Sequence, residues 1–236
     1  MEQAIKFLRS REVEYLIHFT PISNLEMIKS EGIVPRATLE TVGQEFCALD
    51  ELRLDMRRDM SCFSLSFPNF LMMYRYRCEL KSKGDDIALL FIKLESLSAL
   101  RKEDVYFYPG NAASKQFQGL AEADIIGVNA LETLFAEEAT AKNGEVLCRG
   151  KLPPFLPTNP QAEVQIRSTI PWSQVGFIVV DGQKRKNQLI SDGIHRCVYS
   201  HWEINRDENL DVFKFPSYWE HWRKHEEGDH GVKTSV

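Results

Sequence analysis

The chain has 236 residues, a length that predicts one large domain over residues 1–236 and a hydrophobic core that needs no disulfide or metal. Hydrophobic residues make up 43% of the sequence and charged residues 27%, which excludes a wholly disordered chain. A formal net charge of −5 excludes a polybasic protein of the histone kind, although local basic strips remain compatible with it.

The cysteines and the most apolar stretches predict a soluble, cytoplasmic protein without a membrane partner. Five cysteines are widely spaced with no CxxC pair, a pattern typical of a reducing compartment. The N-terminal segment MEQAIKFLRSREVE carries charges throughout and lacks the apolar core of a signal peptide. The longest uncharged stretch, residues 60–74, is too short to span a bilayer and contains Pro68.

The first predicted elements are a strand, a polar corner and a helix. Residues 13–19 (VEYLIHF) are rich in β-forming side chains. Thr20 is predicted to cap the following helix, Pro21 to occupy its first position, and Gly32 to end it. Residues 61–67 alternate between apolar and small polar side chains, which predicts a half-buried strand.

The rest of the chain predicts short strands mixed with short helices, without the regular βαβ rhythm of a doubly wound sheet. A helix is expected directly after Pro68, and residues 226–236 are expected to form a loose tail. Further strands are predicted at residues 87–94, 104–108, 162–170, 177–180 and 197–204, and further helical segments at residues 96–103, 121–139 and 218–225. The predicted fold class is α+β.

Common catalytic and metal-binding motifs are absent or weak. The even spacing of His195, Cys197 and His201 on a predicted strand favours packing over metal ligation. His221 and His225 lie one helical turn apart but have no obvious third ligand, so a solvated helix face is favoured. The sequence contains no GxxxxGK[ST], GxGxxG or GxSxG motif, which argues against a P-loop or a Rossmann-type site. We predict that no metal is bound.

A more coherent set of candidate side chains lies in four short segments, which run in chain order HFTPISNLEMIKSEGI, SLSFPNFLMMY, GNAAS and QAE…IPW. Together these segments resemble the DarT-type nucleic-acid ADP-ribosyltransferases, a toxin family with the split-sheet fold of the larger ADP-ribosyltransferase group. The resemblance covers roughly residues 13–180 and leaves residues 181–225 as an unmatched extension. It implies an ADP-ribosyltransferase-like split mixed β-sheet core decorated by helices.

The resemblance also implies roles for individual residues. Glu163 is expected to be catalytic, and Arg53 to be an essential arginine near the pyrophosphate of NAD, with Arg57 and Arg58 competing for that role. Asn111 stands where some relatives have histidine. The residues expected to bind NAD, which serves as co-substrate, are His18, Thr20, Asn24, Arg53, Ser66 and Gln161. The residues expected to contact nucleic acid are Tyr74, Arg75, Arg77, Asn111 and Ser114.

The expected chemistry explains why a glutamate would be needed. The nicotinamide leaving group of NAD is already cationic, so its departure requires no general acid. A carboxylate near the ribose can instead stabilise an oxocarbenium-like centre and accept a proton from the attacking base. Glu163 suits this role because it begins a predicted strand on its polar face, with Gln161 on the same side. Taken alone, Glu163 would be a solvated strand-edge residue, His18 a packed core histidine and Arg53 a helix-surface charge.

Residues 73–83 (MYRYRCELKSK) form a locally basic strip, with four cations against one anion. Arg75 and Arg77 are suited to phosphate contacts, and the interleaved Tyr74 and Tyr76 are suited to base stacking, worth ~1–3 kcal/mol per base. The alternative interpretation is a solvated helix face with the tyrosines packed inward.

The predicted function is NAD-dependent mono-ADP-ribosylation of a nucleobase in single-stranded DNA, as a toxin or phage-defence effector. The resemblance implies an antitoxin partner, which can include an ADP-ribose-removing macrodomain. Two alternatives stay open: the same transfer onto RNA, and a nucleic-acid-binding module without catalysis.

Overall fold

The fold contains nine β-strands and seven α-helices within residues 1–50, 53–195, 198–200 and 213, which are the residues that a computed structural model of the protein describes. The strands are β1 (Tyr15–Pro21), β2 (Ser61–Leu65), β3 (Ile87–Lys93), β4 (Val105–Tyr108), β5 (Glu138–Thr140), β6 (Val146–Cys148), β7 (Glu163–Ile166), β8 (Val175–Val180) and β9 (Val198–Ser200). The α-helices are α1 (Glu2–Ser10), α2 (Leu25–Glu31), α3 (Arg36–Thr41), α4 (Phe70–Ser82), α5 (Glu122–Ile125), α6 (Gly127–Thr133) and α7 (Gln183–Ser191).

Seven of these strands form one mixed sheet in the order β4-β7-β2-β1-β3-β8-β9. Neighbouring strands are antiparallel except for β8 and β9, which are parallel. The remaining strands, β5 and β6, pair separately. Leu16 and Ile17 in the central strand β1 are at most 1% exposed, as expected of a strand that is covered on both faces. The predicted α+β class is confirmed.

The sheet opens between its central strands. β1 pairs with β3 along its whole length, but with β2 at two positions only, of which the second joins Ile17 to Ser64. Beyond that pair, the His18 side chain bridges the gap, with its Nδ1 atom 2.9 Å from the carbonyl oxygen of Cys62. The predicted split of the sheet corresponds to this opening.

Apolar cores lie on both faces of the sheet, and α4 covers one of them. Met73 and Tyr76 on α4 pack with Ile17 and Leu89 of the sheet. Apolar residues recur every three or four positions along α4, so one stripe of the helix faces the sheet. The helix starts after Asn69, whose side-chain oxygen accepts a hydrogen bond from the Met72 amide. This cap fixes the first turn of the helix that contains the predicted basic strip, residues 73–83.

The first predicted helix begins later than the sequence indicates. Thr20 and Pro21 complete β1, because their backbone continues the ladder with β3, and a 3-10 turn at Ile22–Asn24 then leads into α2. Gly32 ends this helix as predicted, with φ of +86°. A Cβ atom at that position would lie 2.5 Å from the carbonyl oxygen of Ile170, so only glycine fits.

Two further elements differ from their predictions in local geometry. Residues 96–103 do not form one helix, but belong to two 3-10 turns, Leu94–Ala99 and Lys102–Asp104. The predicted strand at residues 61–67 ends at β2, because Ser66 has φ of +56° and turns the chain out of the sheet.

The predicted helix at residues 121–139 and the predicted strand at residues 162–170 are longer than the elements in the structure. The helix predicted at residues 121–139 is broken at Gly127, where φ is +79°, and its last residues join β5. The strand predicted at residues 162–170 contracts to β7, and Ile170 instead forms an isolated bridge with Ile33. Helices α1, α3 and α7 and strands β5 and β6 were not predicted.

The last predicted elements fall largely outside the described residues. The strand predicted at residues 197–204 is described only as β9. The helix at residues 218–225 and the tail at residues 226–236 lie outside the described part, as do Cys197, His201, His221 and His225, so the predictions for them stay predictions. In the part of the chain that is described, no helix combines the length and apolar character needed to cross a membrane.

Candidate active site

A cavity of about 530 Å³ lies at the opening between β1 and β2. The separated strands, residues 46–50, the first turns of α4 and the turn at residues 111–113 form its walls. The predicted site residues that line it are His18, Asn24, Arg53, Arg75, Asn111, Gln161 and Glu163. The predicted site residues outside its lining are Thr20, Ser66, Tyr74, Arg77 and Ser114.

Glu163 is the first residue of β7, and only one of its carboxylate oxygens is held. Oε1 accepts hydrogen bonds from the backbone N–H of Ala112 at 3.1 Å and from Nε2 of Gln165 at 2.9 Å. Oε2 has no hydrogen-bond partner among the described residues. Burial raises the pKa of Glu163 to about 7, with a further contribution from the Asp55 carboxylate. One anchored and one free oxygen beside a cavity suit a carboxylate that reacts near neutral pH.

Alternation along β7 brings Gln165 to the same face as Glu163, while Val164 and Ile166 enter the core on the other face. Gln165 is fully buried, and its Nε2 also donates to Oδ2 of Asp55 at 2.8 Å. The amide of Gln165 therefore connects two carboxylates across the strand.

Arg53 completes this group through a bidentate ion pair. Its Nε and Nη2 atoms donate to the two carboxylate oxygens of Asp55 at 3.0 and 2.9 Å. Nη1 donates to the carbonyl oxygen of Met60 at 3.1 Å, and Nη2 donates also to that of Arg57. Burial disfavours the charge, but the surrounding acidic groups raise the pKa of Arg53 above its ordinary value. Most of its N–H groups are thus committed within the protein.

The three competing arginines occupy different places. Arg53 lines the cavity. The guanidinium of Arg57 lies 4.5 Å from the ring centroid of Tyr106, and Arg58 is half exposed and pairs with Glu40 at 3.3 Å. Position alone therefore favours Arg53 as the arginine of the site.

Three potential metal ligands meet beside the cavity. One donor atom each from Asp55, Cys62 and Glu163 lies within 4.8 Å of the others. The amide of Gln165 sits among them, with Nε2 also 3.7 Å from the Cys62 sulfur. Burial and the charge of Glu163 raise the pKa of the Cys62 thiol, which keeps it protonated. The absence of a bound metal stays a prediction.

His18 presents a hydrogen-bond acceptor to the cavity. A carbonyl oxygen can only accept, so Nδ1 must carry the proton in its contact with Cys62, and Nε2 is left with a lone pair. Burial lowers the pKa of His18, which favours this neutral ring. The ring is also tilted against Phe63, at 5.4 Å between centroids, and this contact fixes its direction.

Comparison with known proteins identifies the family. The family model described as "ssDNA thymidine ADP-ribosyltransferase, DarT" matches residues 17–204. The chain belongs to the DarT family. The match extends beyond residue 180, so part of the extension that carried no recognised motif is family sequence. No match is found among curated protein sequences.

Solved structures of DarT-family proteins share the fold. Thermosipho africanus DarTG in complex with ADP-ribose has a TM-score of 0.55 and 18% identity, covering 79% of this chain and 49% of that chain. This chain therefore spans about half the length of that relative. Thermus sp. 2.9 DarT in complex with NAD+ has a TM-score of 0.51 and 14% identity, covering 81% and 97%. The same Thermus protein with ADP-ribosylated ssDNA has a TM-score of 0.50 and 14% identity, covering 81% and 96%.

In this DarT-family chain, Asn24 and Thr20 support the cavity wall. The Asn24 side chain accepts from the backbone N–H of Cys47 at 2.8 Å and donates to its carbonyl oxygen at 2.9 Å. Its Nδ2 atom also donates to the Thr20 hydroxyl at 3.1 Å. Thr20 is buried and does not line the cavity, which favours a structural role over the predicted contact with NAD. Asn24 lines the cavity but uses its amide to hold the segment around Cys47.

The two predicted serine ligands are also placed elsewhere. Ser66 makes the turn after β2, where its backbone N–H donates to the carbonyl oxygen of Tyr15. Ser114 is 5% exposed, and its hydroxyl lies outside the cavity lining. Asn111, in contrast, lines the cavity and accepts from the Ala113 amide at 2.9 Å. This contact shapes the turn that presents the Ala112 N–H to Glu163.

Helix α4 divides the predicted basic strip between two environments. Tyr74 is 52% exposed, and Arg75 is exposed at the cavity wall. Arg77 is 6% exposed, and its guanidinium pairs with Asp86 and Asp181. The predicted phosphate contact of Arg77 is therefore wrong, because its position on the helix points it into the protein.

Three site residues were missed by sequence reasoning. Gln165 could have been found from the same alternation that selected Glu163. Asp55, in the segment LDMRRDM, had no local signal, since its role depends on contact with a strand more than a hundred residues away. Arg36 lines the cavity and donates to the carbonyl oxygen of Asp50 at 2.8 Å, but it looks like an ordinary surface cation in the sequence.

Proposed function

We propose that this chain transfers ADP-ribose from NAD+ to thymidine in single-stranded DNA, with Glu163 as the catalytic residue. The observation that carries the proposal is the Glu163 carboxylate, held by one oxygen and free at the other beside a cavity of suitable size. The family description supports the substrate, and Thermus sp. 2.9 DarT has been captured with NAD+ and with ADP-ribosylated ssDNA.

The cavity fits a nucleotide co-substrate. Its volume of about 530 Å³ lies within the range of roughly 300–1,000 Å³ that is usual for small-molecule sites. NAD+ supplies a ribose whose anomeric carbon carries a cationic nicotinamide leaving group. The Nε2 atom of His18 can accept a hydrogen bond from this ligand, and Gln161 can donate one.

Glu163 then performs two tasks with its free oxygen. As an anion it stabilises the positive charge that develops on the ribose while the bond from the anomeric carbon to nicotinamide breaks. It also accepts the proton of N3, the only ring N–H of thymidine, as N3 forms the new bond to that carbon. A base with a pKa of about 7 is matched to this work at neutral pH. Arg53 acts here through Asp55, whose charge it neutralises, so that Glu163 can still ionise.

Contacts to the DNA strand come from the outer face of α4. Tyr74 offers an exposed ring for stacking. Leu71 is also half exposed and lines the cavity. Asn111 is placed to meet the target base inside the cavity. Of the two arginines that the sequence predicted to bind phosphate, Arg75 alone keeps that role in this proposal, because Arg77 is buried.

The biological setting is part of the proposal. A toxin that modifies DNA requires an antitoxin, and Thermosipho africanus DarTG, bound to ADP-ribose, carries about as much additional chain as it shares with this protein. We include a partner that removes ADP-ribose and a cytoplasmic location, where NAD+ and single-stranded DNA both occur. Metal-free activity belongs to the same proposal.

The test combines the purified protein, NAD+ and short oligonucleotides, with mass spectrometry of the products. Single-stranded DNA with one thymine should gain one ADP-ribose, while the same strand with cytosine replacing thymine should not. The rate should fall as the pH drops below about 7, because protonated Glu163 can no longer accept a proton. Transfer to the RNA counterpart alone would assign the RNA alternative, and binding without transfer would assign the non-catalytic one. Loss of activity in EDTA, restored by one divalent cation, would contradict the metal-free mechanism.

A further inference from the structure

We propose that Gln165 is a positioning residue that holds the Glu163 carboxylate in its reactive orientation and links it to Asp55 and Arg53, a role that rests on the proposed transferase function. The reason begins with its place in the sheet. Gln165 lies in the middle of β7, which pairs with β4 on one side and β2 on the other. Its side chain is therefore enclosed by Cys62 and Tyr106 on neighbouring strands, and it is fully buried.

The burial of this amide is only half compensated. Nε2 makes contacts with both carboxylates, but Oε1 has no hydrogen-bond partner in the part of the chain that is described. An unpaired buried acceptor costs stability, and an apolar side chain of similar size would fill the position without that cost. A buried group that is left partly unsatisfied calls for an explanation, and the two contacts of Nε2 supply one.

Those contacts determine which oxygen of Glu163 can react. Nε2 of Gln165 and the N–H of Ala112 both donate to Oε1, and these two bonds fix the plane of the carboxylate. Oε2 is then the oxygen that is left to contact a ligand. The same Nε2 atom reaches Oδ2 of Asp55, which the guanidinium of Arg53 holds. A neutral donor between two carboxylates keeps them apart without adding charge, and its bond to the ionised form of Glu163 opposes the effect of burial.

The deciding experiment compares the parent protein with Gln165→Met, which keeps the length of the side chain and removes the donor. We expect the transfer rate to fall by about 10²-fold, the size of effect that a misplacement of about 1 Å can have on a reacting group. KM for NAD+ should stay within about threefold, since Gln165 is not assigned to the ligand. The acid limb of the pH–rate profile should move to higher pH, because Glu163 loses a bond that favours its ionised form.

Two further variants separate positioning from folding. Gln165→Glu adds a carboxylate beside Glu163 and Asp55, so the acid limb should move further in the same direction. Thr158→Val removes a fully buried hydroxyl that donates to the carbonyl oxygen of Ala136, away from the cavity lining. Thr158→Val should lower the melting temperature without changing the pH profile.

A direct titration completes the test. The carboxyl resonance of Glu163, assigned in ¹³C NMR spectra by its loss in Glu163→Gln, should titrate at a higher pH in Gln165→Met than in the parent. An unchanged titration and pH profile in Gln165→Met would overturn the inference and leave the proposed function standing. A parent protein that modifies no oligonucleotide would overturn the proposed function, and the role of Gln165 with it.

Discussion

Two arginine–carboxylate groups in this protein are built from the same kinds of side chain but differ in whether every carboxylate is paired with a cation. The site cluster contains Arg53, Asp55, Gln165 and Glu163 and lies beside the cavity. One guanidinium faces two carboxylates there, and a neutral amide connects them. One oxygen of Glu163 is left over.

The core cluster contains Arg77, Asp86 and Asp181 and joins α4 to the ends of β3 and β8. Nη1 of Arg77 also donates to the carbonyl oxygen of Phe213 at 2.8 Å, and the guanidinium lies 4.7 Å from the ring centroid of that residue. Lys81 approaches both carboxylates, at 3.9 and 3.8 Å. Two cations therefore balance two anions.

The two clusters differ in the balance between cations and carboxylates. Where cations and carboxylates are equal in number, as in the core cluster, all the charges are paired within the group and the group stabilises the fold. Where an extra carboxylate shares one cation and is buried, its pKa rises, as that of Glu163 does to about 7. The raised pKa and the free oxygen are the two features on which the proposed catalytic role of Glu163 rests.

The largest effect is expected from removing the charge of Glu163 in the site cluster. Glu163→Gln should lower the initial rate of transfer by about 10²–10⁴-fold, the usual contribution of a general base. The new side-chain oxygen can keep both hydrogen bonds of Oε1, so NAD+ affinity, measured by calorimetry, should change little. Glu103→Gln, an exposed position, serves as the matched control. Near-parent rates in Glu163→Gln would exclude this residue from the chemistry.

The second-largest effect is expected from removing the guanidinium of Arg77 from the core cluster. Arg77→Met leaves Asp86 and Asp181 without their guanidinium and should lower the free energy of unfolding by about 3–5 kcal/mol. Urea denaturation measures this change. Arg75→Met, on the exposed face of the same helix, should change it by no more than about 0.5 kcal/mol. Equal losses for the two variants would mean that the core cluster contributes no special stability.

A third prediction contrasts the two faces of α4. Tyr74→Ala should weaken binding of single-stranded DNA by about 1–3 kcal/mol through lost base stacking, with no change in the free energy of unfolding. Fluorescence anisotropy with a labelled oligonucleotide measures the affinity. Arg75→Met should in addition lower the slope of log affinity against log salt by about 1. Unchanged affinity and slope would return this face to an ordinary solvated surface.

The last prediction concerns how stability depends on pH in the site cluster. Because the pKa of Glu163 rises from 4.5 to about 7 on folding, the folded protein binds this proton more tightly than the unfolded chain. Stability should therefore decline as the pH rises from about 4.5 through about 7. Glu163→Gln removes this decline and should unfold with a free energy about 3 kcal/mol above the parent at pH 8, since each unit of pKa change corresponds to about 1.4 kcal/mol, but near the parent at pH 4.5. A parent less stable than Glu163→Gln by the same amount at both pH values would contradict the assigned pKa.

Prediction from sequence succeeded where short-range patterns carry the information. The alternation around Val164 placed Glu163 on a polar face, and glycine ended α2 at residue 32 as expected. The ordered segments identified the family. The same patterns failed for Arg77, since a basic strip does not show which helix face will meet a sheet, and for Thr20, since a ladder with β3 overrode its capping preference.

By itself, the sequence determined the α+β class, the family and the candidacy of Glu163, because strand alternation and ordered motifs are local properties of the chain. Only the tertiary structure decided which charges meet. Asp55 and Gln165 are separated by more than a hundred residues, and Arg77 and Asp181 by a similar distance, yet each pair lies within hydrogen-bond range. Such contacts depend on strand order and helix orientation, which local patterns do not encode. Burial then completes the difference, since it raises the pKa of the one excess carboxylate, whereas the two balanced carboxylates form a structural clamp.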